Sequence, residues 1–219
     1  MKNIQKPACC AALRAMVTIA MALLFIPLLS SCGRKQAGPA AGTDIVAVES
    51  SADGGFISLS PSDMSGYAAF ENYDGELCFV DMTVEDILSL KEAGESFAFV
   101  ATFSTCPWCN MILPALNEAA LQEDMQVGCL NTRKDPAWTS NLDITGYDRF
   151  AETFADYLTY DSNDRLHLYT PHVFFIREGE VADEHQGALP EIEDPNAVLS
   201  DRQEASLEEI FREGFRSMK

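Results

Sequence analysis

Cys106-Pro107-Trp108-Cys109 sets two thiols one helical turn apart, directly after an apolar run from Phe97 to Phe103 and ahead of a segment patterned as a helix. Two cysteines separated by two residues can close a small disulfide ring on the first turn of that helix. There the unpaired backbone N–H groups and the positive end of the helix dipole stabilise a thiolate on the first cysteine. The thiolate is the nucleophile of thiol–disulfide exchange, so the position and the chemistry coincide. Cys106 is therefore the expected nucleophile, exposed at the helix start, and Cys109 the expected resolving thiol. Pro107 and Trp108 lie inside the ring as active-site neighbours: the proline removes a donor near the sulfur and the indole supplies an apolar flank. Trp108 equally suits a patch that binds substrate.

Turn signals and periodicity outline the elements that must position this pair. Asn72-Tyr73-Asp74-Gly75 reads as a turn and Glu76 to Val80 as a short strand. Thr83 is placed to cap a helix that runs to Ala93, with Gly94 as its stop. Phe97 to Phe103 has the unbroken apolar character of a strand buried on both faces, as at the centre of a mixed or parallel sheet. The helix carrying the cysteines extends to about Glu123, with Pro114 inside it as a kink. Gln126 to Leu130 is a further strand. Phe150, Ala151, Phe154, Ala155 and Leu158 form a helical stripe within Tyr147 to Leu158, read as core packing. Val173–Ile176 and Glu180–Asp183 flank Arg177-Glu178-Gly179 as a hairpin, and Ser200 opens a last helix with Leu207, Ile210, Phe211, Phe215 and Met218 on one face. The order β-α-β-α-β-α-β-β-α implies an α/β layer architecture with a closing antiparallel hairpin.

The N-terminal region is of another kind. Lys2, Lys6 and Arg14 precede an apolar stretch from Ala15 to Leu29, interrupted only by Thr18 and Pro27. It falls short of the roughly 20 residues of a membrane span and suits the core of a secretory signal. It ends in Leu29-Ser30-Ser31-Cys32-Gly33, which resembles the lipobox of bacterial lipoproteins. That resemblance implies a signal peptide over residues 1–31, cleavage before Cys32 and a lipid on Cys32, with ordinary secretion and a spare Cys32 thiol as the alternative. Residues 32–55, rich in Ala, Gly, Ser and Asp, read as a flexible tether, and residues 56–219 as the folded domain.

Cleavage would remove three basic residues and no acid, taking the net charge from −19 to −22. So acidic a chain disfavours nucleic acid and anionic lipid headgroups, and most simply reflects solvation. Cysteine usage agrees with an oxidising, extracytoplasmic setting. Cys9 and Cys10 leave with the signal, and Cys78, Cys106, Cys109 and Cys129 remain in the domain. Cys78 and Cys129 are read as two buried, inert thiols in preference to a second disulfide.

Taken together, these residues resemble the thioredoxin superfamily. Its members carry a kinking proline five residues after the second cysteine, matched by Pro114, and a cis-proline before the hairpin strand, matched by Thr170-Pro171. Gly179 and Gly187 follow that proline at the family's spacings. The resemblance covers about Glu76 to Lys219. It implies a thioredoxin-like fold, a central mixed sheet flanked by helices, with an insertion before the cis-proline strand at about Asn131 to Leu168. The insertion would either shape a substrate groove or cap the fold. Pro171 in cis would leave the Thr170 backbone free to bind an extended substrate peptide beside Cys106. Val100 stands where thioredoxin keeps a buried acid, so the chain is more similar to exported members, and among them to lipoproteins grouped with bacteriocin-transport accessory proteins.

The function implied is a membrane-tethered, extracytoplasmic thiol–disulfide oxidoreductase, lipid-anchored to a bacterial cell membrane. Its partners would be the thiols and disulfides of exported proteins and a membrane redox partner, with no cofactor, no metal and no nucleic acid. His172, beside the proline, is a candidate proton carrier or a bystander. Two other classes stay open: a copper-binding lipoprotein drawing on His167, His172 or His185, and a non-catalytic surface lipoprotein with a vestigial pair.

Overall fold

The computed structural model describes residues 47–48 and 57–219. The expected signal peptide, Cys32 and most of the expected tether lie outside the described residues. Within the tether segment, Ala47–Val48 (β1) pair antiparallel with Ile57–Ser58 (β2), so strand pairing begins ahead of residue 56.

The main elements follow in the expected order: β3 (Phe79–Asp81), α1 (Val84–Glu92), β4 (Phe97–Thr102), α2 (Pro107–Gln122), β5 (Val127–Asn131) and α3 (Tyr147–Thr153). A small hairpin of β6 (Thr159–Tyr160) and β7 (Leu166–His167) precedes β8 (His172–Arg177), β9 (Glu180–Gln186) and α4 (Asp201–Ser217). Five strands form one mixed sheet in the order β3-β5-β4-β8-β9. β4 is central, parallel to β5 and antiparallel to β8. This is the thioredoxin-like fold.

Local chemistry fixes the boundaries. The Thr83 hydroxyl accepts the Asp86 N–H at 3.2 Å while the Asp86 carboxylate accepts the Thr83 N–H at 2.8 Å, a capping box that starts α1. Gly94, at φ 75°, ends it. The β8–β9 turn has Glu178 and Gly179 both at positive φ, 50° and 77°, the primed geometry that matches strand twist. A Cβ on Gly179 would also strike the Lys91 carbonyl, so α1 and the turn approach too closely for any other residue.

Two expectations shift. The strand expected at Glu76 to Val80 begins only at Phe79, because the Asn117 side chain takes the Glu76 carbonyl at 3.0 Å and the Cys78 N–H at 3.0 Å. The helix expected to run to Leu158 stops at Thr153, and Ala155–Tyr157 continue as a 3-10 turn.

Alternation along the strands divides the core. Ala98 and Val100 of β4, with Val173 and Phe175 of β8, face α2 and α4 in a cluster that includes Cys106 and Cys109. Phe99, Ala101, Phe174 and Ile176 face the other way, against residues of α1 and α3. There the insertion supplies Phe150 and Phe154, both fully buried. Their rings pack at 4.6 Å from each other, and Phe154 meets Phe99 at 5.7 Å and Phe174 at 5.1 Å. The insertion therefore shares with α1 the covering of this face of the sheet.

Phe154→Ala is expected to cost about 3–5 kcal/mol in urea unfolding, as for other fully buried aromatics. A loss below about 1 kcal/mol would mean that the insertion packs on a core that stands without it.

Candidate active site

The chain leaves β4 at Thr102 and turns through Phe103-Ser104-Thr105 to place Cys106 as the N-cap of α2. In that role the cysteine replaces the usual hydroxyl or carboxylate cap: its Sγ accepts the N–H of Cys109 at 3.3 Å. Pro107 occupies the first helical position, where its missing N–H costs nothing and its fixed φ suits the helix. Asn110, the residue after the pair, ties the turn down. Its Nδ2 donates to the carbonyls of Ser104 at 2.7 Å and Cys106 at 3.0 Å, and its Oδ1 accepts the Ala69 N–H at 2.9 Å.

Thr170-Pro171 is a cis peptide, and the Thr170 carbonyl lies 3.7 Å from the Cys106 Sγ, which donates to it. Cys106, expected to be exposed, is only 4% exposed. The correction has a plain cause: its sulfur turns inward between the Cys109 N–H and the Thr170 carbonyl rather than outward from the helix end. Pro107 is exposed, and Trp108 is half-buried with its indole against the α2–α4 core.

All four domain cysteines are free thiols. Hydrogen bonding to Cys109 holds Cys106 down at about 7, against the opposing effect of burial. The Cys109 and Trp108 N–H groups and Thr170 add smaller effects in the same direction. Cys109, completely buried, is pushed strongly up by that burial and then by Cys106. The environment thus separates a ready nucleophile from a protonated partner one turn away. Burial likewise pushes Cys78 up to about 12 and Cys129 up to about 11. Cys129 pairs with Asp81, three positions beyond Cys78, a strand offset of about 10 Å that no disulfide spans.

The insertion also reaches the site. Asn141 donates to the Leu168 carbonyl at 2.6 Å, and its Oδ1 accepts from Thr132 at 2.9 Å and Arg133 at 2.7 Å. The Tyr147 hydroxyl takes the Leu168 N–H at 3.0 Å and donates to the Leu166 carbonyl at 2.8 Å. Both grips hold the chain just before Thr170, so the insertion fixes the peptide edge beside Cys106 as well as capping the sheet.

His172 does not reach the thiols. It lies on the opposite face of β8, stacked on Phe174 at 4.1 Å, with Nε2 at 2.6 Å from Glu184. His185 packs edge-on to Phe211 and His167 lies against Tyr169. Among the described residues no group of three His, Cys, Asp or Glu side chains converges as metal donors. Asn110 and Asn141 escaped the sequence reading. An asparagine inside a helix disfavours that helix unless its side chain has another task, which is the one signal Asn110 offered.

No family model matches the chain, and no curated protein matches it significantly. Among solved structures, one described as having a thioredoxin fold is similar at 14% identity and a TM-score of 0.36, over 50% of this chain and 83% of that one. Thioredoxin O2 from Arabidopsis thaliana, in its oxidized state, is similar at 16% identity and a TM-score of 0.36, over 61% of this chain and 95% of that one. The sheet order, the cysteine pair at the start of α2 and the cis-proline opposite it define a protein of thioredoxin fold on their own geometry.

Alkylation of Cys106 by iodoacetamide is expected to rise with pH as the thiolate forms, with a midpoint at about 7. Mass spectrometry after brief labelling at neutral pH should show Cys106 modified well before Cys78, Cys109 or Cys129. A midpoint at about 8.5, the ordinary thiol value, would contradict this electrostatic account.

Proposed function

We propose that the chain is a thiol–disulfide oxidoreductase that works outside the cytoplasm, tethered to a bacterial membrane through a lipid on Cys32. Cys106 attacks a disulfide of an exported protein, and Cys109 resolves the mixed disulfide that forms. The observation that carries the reading is the position of the Cys106 sulfur. It lies at the N-terminus of α2, bonded to the Cys109 N–H at 3.3 Å and facing the Thr170 carbonyl at 3.7 Å. A nucleophile, a resolving group and the peptide edge of the cis-proline therefore meet at one point.

In the first step the Cys106 thiolate bonds to one substrate sulfur, the substrate S–S bond breaks, and the departing substrate thiolate takes up a proton. In the second, Cys109 loses its proton and attacks Cys106 Sγ; the bond to substrate breaks and the second substrate sulfur leaves as a thiol. The chain ends oxidised and the substrate reduced by two electrons, and the reverse sequence donates a disulfide. Thr170 and Pro171 would align the substrate backbone, with Trp108 as the apolar flank. A membrane redox partner would reset the pair.

The extracytoplasmic setting is supported by the basic start, the apolar run and Leu29-Ser30-Ser31-Cys32-Gly33. Attachment is assigned to Cys32 because Leu29-Ser30-Ser31-Cys32-Gly33 resembles a lipobox.

Cys109→Ser in the full chain, expressed in a bacterium, is expected to accumulate mixed disulfides with exported proteins in the membrane fraction. Cys106→Ser should abolish them. Conjugates that persist without Cys106, or their complete absence from Cys109→Ser, would contradict the assignment.

A further inference from the structure

Beneath the pair lies a second group of polar side chains. Thr102 ends β4 on the same face as Ala98 and Val100, which strand alternation turns toward α2 and Cys109. It is completely buried. Tyr67, 2% exposed, enters the same cluster, which also holds Cys109 and Cys129. The Thr102 Oγ1 and the Tyr67 Oη are both shut off from solvent, and neither has a hydrogen-bond partner in the dithiol. Buried hydroxyls are rarely left so, and an orphan at a reactive centre points to a partner that appears during the reaction.

The one charge this space is built to receive is a thiolate on Cys109. Val100, the neighbour of Thr102 on the same face, brings no carboxylate. The Thr102 side chain favours the charged form of Cys109, and the Tyr67 hydroxyl, set beside Thr102 and Cys129, feels charge on Cys129 and Cys109. Cys129 stays a thiol at neutral pH because burial pushes it up to about 11. Cys109, by contrast, must lose its proton in every catalytic cycle.

We propose that Tyr67 and Thr102 are positioning residues whose buried hydroxyls donate hydrogen bonds to Cys109 as its sulfur becomes a thiolate in the resolving step. The inference rests on the redox reading of the Cys106–Cys109 pair. In that step Cys109 Sγ gives up its proton and forms a bond to Cys106 Sγ. The bond from Cys106 to the substrate sulfur breaks, the electron pair leaves with that sulfur, and the proton ends on it. The hydroxyls supply no proton and accept none. They lower the barrier by stabilising charge where bulk water is excluded.

The test follows the two steps separately by stopped-flow absorbance, using an aromatic disulfide reagent whose thiolate product is coloured. The full chain carries Cys9→Ser, Cys10→Ser and Cys32→Ser, so that the first burst of colour reports attack by Cys106 and the second reports resolution by Cys109. Tyr67→Phe and Thr102→Val are each expected to slow the second phase relative to the first by about tenfold, the effect of one lost hydrogen bond to a charged group. Thr102→Ser should restore the ratio, which a packing role for the methyl group alone would not. If Thr102→Val fails to fold, Tyr67→Phe and Thr102→Ser still decide the matter. A phase ratio unchanged in Tyr67→Phe would overturn the inference while leaving the redox pair intact. A parent protein with no second phase would overturn the redox reading itself.

Discussion

A helix N-terminus must satisfy donors that have no partner inside the helix, and in this protein a cysteine sulfur does so. The Cys106 Sγ caps α2 through the Cys109 N–H, and that single contact links stability to reactivity. The N–H groups that the sulfur satisfies as a cap are the ones that stabilise it as a thiolate. The Cys109 thiol contributes most to holding Cys106 at about 7 and the N–H groups add to it, while burial keeps Cys109 protonated. Capping, pairing and polarity thus depend on where β4 ends and α2 begins. That point is held by Asn110, whose three hydrogen bonds anchor Ser104, Cys106 and Ala69.

The sheet divides the labour between its faces. The α2–α4 face buries the thiols, so the reactive sulfur rests on a packed, low-dielectric floor that strengthens each electrostatic contact. The opposite face is closed by α1 together with the insertion, which contributes stacked phenylalanines. From the insertion, Asn141 and Tyr147 reach to Leu168 and so steady the peptide edge that faces Cys106. A segment that supplies core packing also sets the geometry of the site. His172 shows the same division from its other side: its ring belongs to the Phe174 face, and its proximity to Pro171 in sequence does not bring it to the sulfur.

What could be read from the sequence follows from how local each signal is. The cysteine pair, the Thr83 cap, the Gly94 stop and the apolar run of β4 are local, and each stands where expected. The Glu178-Gly179 turn was equally legible. The strand before Phe79 was not, because the competitor for its backbone is Asn117, 39 residues from Cys78. The covering of Cys106 escaped for the same reason: the Thr170 carbonyl that turns its sulfur inward is 64 residues away. Tyr67 and Thr102 gave no signal of their own, since one reads as core aromatic and the other as the polar end of a strand. Only the assembled fold buries both in the core region that also holds Cys109.

The central claim is that Cys106 and Cys109 form a reversible two-electron couple whose dithiol form is moderately stabilised by a Cys106 thiolate at about 7. Equilibration of the full chain with glutathione, with the Cys106–Cys109 disulfide quantified by mass spectrometry, measures it directly. A thiolate of that strength is characteristic of couples near about −270 mV, whereas strong oxidants near about −120 mV hold their nucleophile at about 3.5. The account predicts a potential nearer the first value and no couple in Cys106→Ser. A potential close to the second, or no exchange between the two thiols, would contradict it.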